Sequence, residues 1–194
     1  GGNDEEGATE KVAALICLHG EGSSYDKNFI DAFKAACAEK GLTEDQYTIV
    51  VDIDEDTECY DKAAELADAG YKAIFADSFG HEKFMIQAAK EFPEVQFCHA
   101  TGTAGGFLNT EATDGSSLEG SNGGGFAFSK DKSIFAIQDG SSDNTKVEAP
   151  VKIYSVIWNG STPTFIYHYT ISLSGTYAVD QMAFDHADNL YIAS

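Results

Sequence analysis

Four apolar runs of strand length are the feature that most constrains this chain. They are Val12–Leu18, Tyr47–Ile53, Lys72–Ala76 and Val95–His99. Each is separated from the next by a segment with helical spacing. Tyr25–Lys40 places Phe29, Phe33, Ala36 and Cys37 on one face, as an amphipathic helix requires. Ser24 is placed to cap it, and Gly41 to stop it. Cys59–Ala69 and His81–Phe92 are the second and third helices, ended by Gly70 and Pro93. Strand runs without alternation predict parallel strands buried on both faces. Right-handed crossovers then predict a doubly wound α/β lobe. Such lobes bind ligands beyond the carboxyl ends of their strands. Here those ends are His19–Ser24, Asp52–Asp56, Asp77–Phe79 and His99–Thr103.

The second half has another character. Ser and Thr together number 7 in residues 1–100 and 21 in residues 101–194. This shift favours strand over helix. Thr101–Gly125 holds eight glycines and no periodicity, so 104–125 reads as a linker. Short aromatic and β-branched runs follow at Phe126–Ser129, Ser133–Gln138, Lys152–Trp158, Thr164–Ile171, Val179–Phe184 and Leu190–Ala193. Asn159-Gly160 marks a hairpin, and Asp188-Asn189 marks a turn before the last run. The expectation for 126–194 is an antiparallel β-meander, joined to an α/β lobe at 11–103. Residues 1–10 read as a flexible acidic leader.

Charge excludes whole classes of partner. The chain has 32 acids, 12 lysines and no arginine, a net charge of −20. Nucleic acid needs a cationic face, so no nucleic-acid partner is expected. An anionic membrane surface is disfavoured for the same reason. Residues 1–100 carry 22 acids against 8 lysines, so most of the excess lies in the α/β half. No apolar stretch is long enough to span a bilayer.

Several motifs favour their bland reading. Asp52-x-Asp54-x-Asp56 with Glu58 opens like a calcium loop, but Thr57 and Ala63 stand where glycine and glutamate belong. Cys17, Cys37, Cys59 and Cys98 have no CxxC spacing and lie in apolar elements. Buried thiols account for them better than zinc with His19 or His99. Gly20-x-Gly22 lacks the third glycine of a dinucleotide loop, and no G-x-S-x-G elbow is present. No cofactor and no enzymatic activity are expected. Asn159-Gly-Ser161 fits a glycosylation acceptor, but its turn role accounts for it. A metal on Asp52, Asp54 and Asp77, as in a phosphotransfer receiver, is a lesser alternative.

The run ALICLHGEGSSYDKNFIDAFKAA (14–36), with DAGYKAIFADSFGHEKFMIQAAKEFPEVQFCHATGT (68–103), resembles the first lobe of the basic membrane protein family. These are substrate-binding lipoproteins of ABC transporters, and characterised members bind purine nucleosides. The resemblance covers about 11–103. It implies a periplasmic-binding-protein-like lobe, an extracytoplasmic or membrane-anchored location and a transporter permease as partner. The polar leader resembles a mature lipoprotein just after its lipidated cysteine, and that cysteine is not in this sequence. The family's first loop ends in Asp-Lys-Ser-Phe-Asn, and here the residues are Asp26-Lys-Asn28-Phe29-Ile30. By resemblance Asp26 and Phe29 contact ligand, Asn28 stands in for the missing asparagine, and His19, Gly20, Ser24 and Tyr25 line the same loop. Asp77, Ser78 and Phe79 match the family's second ligand-facing loop. The family encloses its ligand between two lobes, and the resemblance stops near Thr103. FAFSKDKSIFAIQ and MAFDHADNLYIAS instead resemble parts of β-propeller blades. A truncated or chimeric interaction module is therefore the second reading, with self-association through its β-rich half.

Overall fold

The computed structural model describes residues 9–100, 105–120, 125–138, 148–175, 179 and 181–193. The leader over 1–8 and the linker ends at 101–104 and 121–124 lie outside the described residues. Strands β1 (Ala13–Ile16), β2 (Tyr47–Val50), β3 (Ala73–Ala76) and β4 (Gln96–His99) form a parallel sheet in the order β2-β1-β3-β4. The register sets Ala13 beside both Tyr47 and Ala73, and Ala73 beside Gln96. Helices α1 (Ser24–Glu39), α2 (Thr57–Asp68) and α3 (Glu82–Glu91) make the crossovers. Side chains alternate across the sheet. Ala13, Leu15 and Cys17 pack on Ile30, Phe33 and Cys37 of α1. Ala14, Ile16, Ile74 and Phe97 pack on Ala63, Leu66, Phe84 and Met85 of α2 and α3. Both faces are covered, which is why the strands read as continuous apolar runs.

Three local boundaries differ from the expectation. The cap of α1 is Ser23, whose Oγ accepts the Asp26 N–H at 3.3 Å, so Ser24 is the first helical residue. β2 stops at Val50, and Asp52 then adopts a left-handed φ of 57° that no strand continues through. Phe79–His81 forms one 3₁₀ turn ahead of α3.

The linker reading of 104–125 is corrected by two strands. β5 (Gly105–Glu111) pairs antiparallel with β4, and β6 (Ser117–Gly120) pairs with β5. Asn109 fixes β5 to the parallel sheet. Its Oδ1 accepts from Gln96 Nε2 at 2.7 Å and from the Phe97 N–H at 3.3 Å, and its Nδ2 donates to the Val95 carbonyl. The turn is Asp114-Gly115, with Gly115 at φ 81° and Asp114 accepting from the Ser116 N–H at 2.9 Å.

β7 (Phe126–Phe128), β8 (Ile134–Gln138), β9 (Glu148–Asn159) and β10 (Thr162–Ser174) form the expected antiparallel meander. Asn159 pairs with Thr162 around Gly160, which has φ 63°. β11 (Gln181–Phe184) and β12 (Leu190–Ala193) form a separate hairpin, with β11 lying against β7. Ala112 and Leu118 of the β5–β6 segment share one buried cluster with Phe135, Ile137, Tyr154, Val156 and Phe165 of the meander. β5 joins the two compositional halves, because its Leu108 packs in the cluster of Phe84, Met85 and Phe97 while its Phe107 packs against the meander cluster.

Candidate functional site

The carboxyl edges of β1 and β3 carry the residues that sequence singles out. Ser23 caps the start of α1, and Asp26 in the first turn reaches back to the loop before the helix. Ser23 Oγ takes the Asp26 N–H, and Asp26 Oδ1 takes the His19 N–H at 3.2 Å. This turns Asp26 inward, where it is 2% exposed. Asp77 follows β3, is 0% exposed, and donates its own N–H to the Ile16 carbonyl at 3.2 Å. The Asp26 and Asp77 carboxylates and the Cys17 thiol place one polar atom each within 4.8 Å of one another. The two carboxylates share a hydrogen bond, and the Cys17 thiol donates to Asp77.

Two buried carboxylates in contact cannot both ionise at ordinary cost. Burial, then the hydrogen bond and negative charge of Asp26, push the Asp77 carboxyl up to about 7. Burial also raises Asp26, but the Ser23 hydroxyl, the His19 N–H and the Asp77 hydrogen bond outweigh it and hold Asp26 below its ordinary value. Asp26 is therefore the ionised member and Asp77 the proton carrier. Burial, and then Asp77, push the Cys17 thiol far above its ordinary range.

The loop after β3 is held from both sides. Glu55 Oε1 accepts from Ser78 Oγ at 2.5 Å and from the Gly80 N–H at 2.8 Å. Those two donors keep Glu55 below the usual carboxylate range. His99 Nε2 donates to the Ser78 carbonyl at 2.6 Å, and His81 Nε2 donates to the Ile53 carbonyl at 2.8 Å. Burial holds His99 below the ordinary histidine value, so the ring is neutral. A Cβ at Gly80 would collide with the Glu55 side chain. Gly80→Ala is thus expected to displace Glu55 and lose about 1–2 kcal/mol of stability in urea denaturation.

Above this locked floor stands an aromatic ledge. Tyr25 is 45% exposed and Phe79 66% exposed. Tyr25 Oη donates to the Asp77 carbonyl at 2.7 Å, which sets its ring beside the loop that carries Phe79. The Tyr25 and Phe29 ring centroids are 5.1 Å apart. His19, Ser24 and Asn28 are exposed on the same loop and helix start, while Phe29 and Gly20 are half-buried. Asp26, Asp77 and Ser78 are buried beneath them. The structure brings together Tyr25, Asp26, Phe29, Asp77 and Ser78, and leaves Phe79 at the rim.

It does not bring Asp52 and Asp54 to Asp77. Among the described residues, the one group placed to hold a metal is Cys17, Asp26 and Asp77. The acidic loop after β2 caps α2 instead: Asp56 accepts the Glu58 N–H at 2.8 Å, and Glu58 accepts the Asp54 N–H at 3.1 Å. All four cysteines are buried and free. Glu55 and His99 are functional supports that composition and motif do not single out. The position of Glu55 beyond the end of β2, and of His99 as the last residue of β4, is the signal that finds them.

No family model matches the chain, and no curated protein matches it. Membership of the basic membrane protein family is therefore not shown. Among solved structures, an ABC transporter solute-binding protein from Conexibacter woesei DSM 14684 aligns at 16% identity and a TM-score of 0.39. The alignment covers 45% of this chain and 28% of that one. A transcriptional activator of the comK gene from Bacillus halodurans aligns at 14% identity and a TM-score of 0.40, covering 48% and 30%. A chain described as a lipoprotein fragment from Peptoclostridium difficile 630 aligns at 19% identity and a TM-score of 0.39, covering 47% and 72%. This chain thus spans about three-tenths of the length of the first two. At these scores the likenesses assign it to no family. No helix among the described residues is long and apolar enough to cross a membrane.

Proposed function

We propose that the carboxyl edge of the parallel sheet binds a small uncharged solute with an aromatic ring, of the purine nucleoside class. The observation that carries this reading is the ledge of Tyr25, Phe29 and Phe79 over the Asp26–Asp77 pair. Aromatic faces stack a base, and the exposed polar groups of His19, Ser24 and Asn28 suit ribose hydroxyls and base N–H groups. The edge lies between β1 and β3, where the strand order reverses and open α/β sheets bind ligands. Lys27 is paired with Asp31 and Lys34 with Glu21, so neither nearby lysine offers a free cation to a phosphate. A nucleoside therefore suits the site better than its phosphate esters. The role is non-catalytic: the chain is the extracytoplasmic solute-binding component of an ABC importer, with a permease as partner.

One wall of a cleft binds weakly, because most of the ligand stays in water. Phe79→Ala is the sharpest test, since the ring is exposed and its loss leaves the core intact. Stacking contributes about 1–3 kcal/mol per base. The variant is expected to bind adenosine at least tenfold more weakly by saturation-transfer NMR, with an unchanged melting temperature. Equal affinity in both proteins, or tighter binding of adenosine monophosphate than of adenosine, overturns the reading.

A further inference from the structure

His99 ends β4 and is 1% exposed. Its Nε2 lies 2.6 Å from the Ser78 carbonyl. A carbonyl only accepts, so Nε2 carries the proton and Nδ1 the lone pair. Among the described residues, nothing hydrogen-bonds to Nδ1. Glu82, the first residue of α3, places Oε2 3.9 Å from it, which is too far for a hydrogen bond.

The bond to Ser78 bears directly on Phe79. Ser78 caps the 3₁₀ turn Phe79–His81. Its carbonyl takes two donors, the His81 N–H at 3.0 Å and His99 Nε2. Of the two, only His99 reaches in from outside the turn. Glu55 holds the same turn from the other side, through Ser78 Oγ and the Gly80 N–H.

A second proton on His99 enters at Nδ1. The closed loop receives it poorly, because the ring is out of water. Burial outweighs the Ser78 carbonyl and the Glu82 charge, and His81 adds to burial. When the loop opens, the ring meets water and takes the proton at its ordinary value. A group that binds its proton more weakly in the closed form drives opening as pH falls below that ordinary value.

The surrounding groups set the background. On either side of His99, β3 presents Ala76 and β5 presents Gly106, neither of them charged. Glu82 opposes the effect and His81 reinforces it. Asp77, next to Ser78, gains its shared proton over the same range and acts with the opposite sign. Glu55 stays ionised, because its two donors hold it below the usual carboxylate range.

We propose that His99 is an acid-released latch on the Phe79 loop, so that the ledge holds its solute at neutral pH and lets it go in acid. The effect on solute rests on the binding reading above, whereas the latch itself does not.

Hydrogen exchange of the Gly80 and His81 amides, followed by NMR without ligand at pH 7.5 and 5.5, tests the latch in the whole chain. The reference is His99→Gln, whose amide can donate to the Ser78 carbonyl but takes up no proton. The ratio of loop opening in the wild type to that in the variant is expected to rise at least threefold on acidification, after correction for intrinsic exchange. This ratio cancels the contribution of Asp77. Glu82→Gln removes the charge that favours the proton, so it is expected to enlarge the acid response, and it serves if His99→Gln does not fold. Adenosine affinity of the wild type, relative to His99→Gln, is expected to fall at least threefold over the same interval. A ratio of loop opening indifferent to pH, or a smaller acid response in Glu82→Gln, overturns the latch. An acid-released loop with no adenosine binding at either pH upholds the latch and overturns the binding reading instead.

Discussion

Asp77→Asn is expected to raise the melting temperature at pH 8 and leave it nearly unchanged at pH 3.5, below the ordinary carboxylate value. Asp77 has a folded value of about 7, above its ordinary value of 3.8. Between those values the folded state holds a proton that the unfolded state has released. Stability therefore falls as pH rises through that window, by up to about 1.4 kcal/mol per pH unit. Asn stays neutral throughout. Its amide N–H donates to Asp26, and its oxygen accepts the Leu18 N–H that Asp77 accepts. The expected gain at pH 8 is a few kcal/mol, or about 5–10 °C for a chain of this size. Asp26 acts with the opposite sign. Its value is lowered, so its contribution is lost as pH falls through the acid range. For these two groups the wild type is thus expected to be most stable near the ordinary carboxylate value, at about pH 4, and Asp77→Asn to keep its stability well above it. Parallel pH profiles for the two proteins, measured by calorimetric melting, would refute the shared proton.

Phe107→Ala is expected to cost about 3 kcal/mol and to separate the unfolding of the two halves. Phe107 sits on β5, the strand that leaves the parallel sheet. Its ring centroid lies 5.6 Å from Phe135, 5.8 Å from Phe126 and 5.9 Å from Phe165. Removing the ring opens a cavity between β5 and the meander, with the usual cost of a large-to-small change in a core. Two probes report the halves independently. The chain's one tryptophan, Trp158, lies on β9, with its indole N–H donating to the Lys132 carbonyl at 2.9 Å. Among the described residues, the three α-helices all lie before residue 92. In the wild type, tryptophan fluorescence and helical circular dichroism are expected to change together in urea. In Phe107→Ala the fluorescence transition is expected at lower urea than the helical one. Coincident, unshifted transitions in the variant would mean that the aromatic cluster does not couple the halves.

Much of the α/β half is legible in the sequence because its physics is local. Runs such as Ala13–Ile16 are apolar at every position only when both faces are covered, and the helical period between them supplies the covers. The Asn159-Gly160 hairpin is legible for the same reason, since a turn type demands its residues. β5 and β6 are not, because eight glycines hide two short runs. Asp114-Gly115 is the local signal that marks them, and the Asn109 side chain that ties β5 to β4 is a tertiary contact. The site is legible by position only. Strand ends locate Asp77 and Phe79, and Asp26 enters by the family resemblance of its loop. That the two carboxylates turn inward to one another, while the aromatics remain outside, depends on Ser23 capping α1 and on the His19 N–H that holds Asp26. Glu55 is hidden among four other acids, Asp52, Asp54, Asp56 and Glu58. Only the fold shows that it, and not Asp52 or Asp54, holds the loop of Phe79.

The binding claim is tested most directly by calorimetric titration of the wild-type chain with adenosine, guanosine and inosine. Saturable heat is expected for at least one purine nucleoside in the micromolar to millimolar range, absent for ribose alone and much reduced in Phe79→Ala. No heat from any of the three at millimolar concentration would contradict the account.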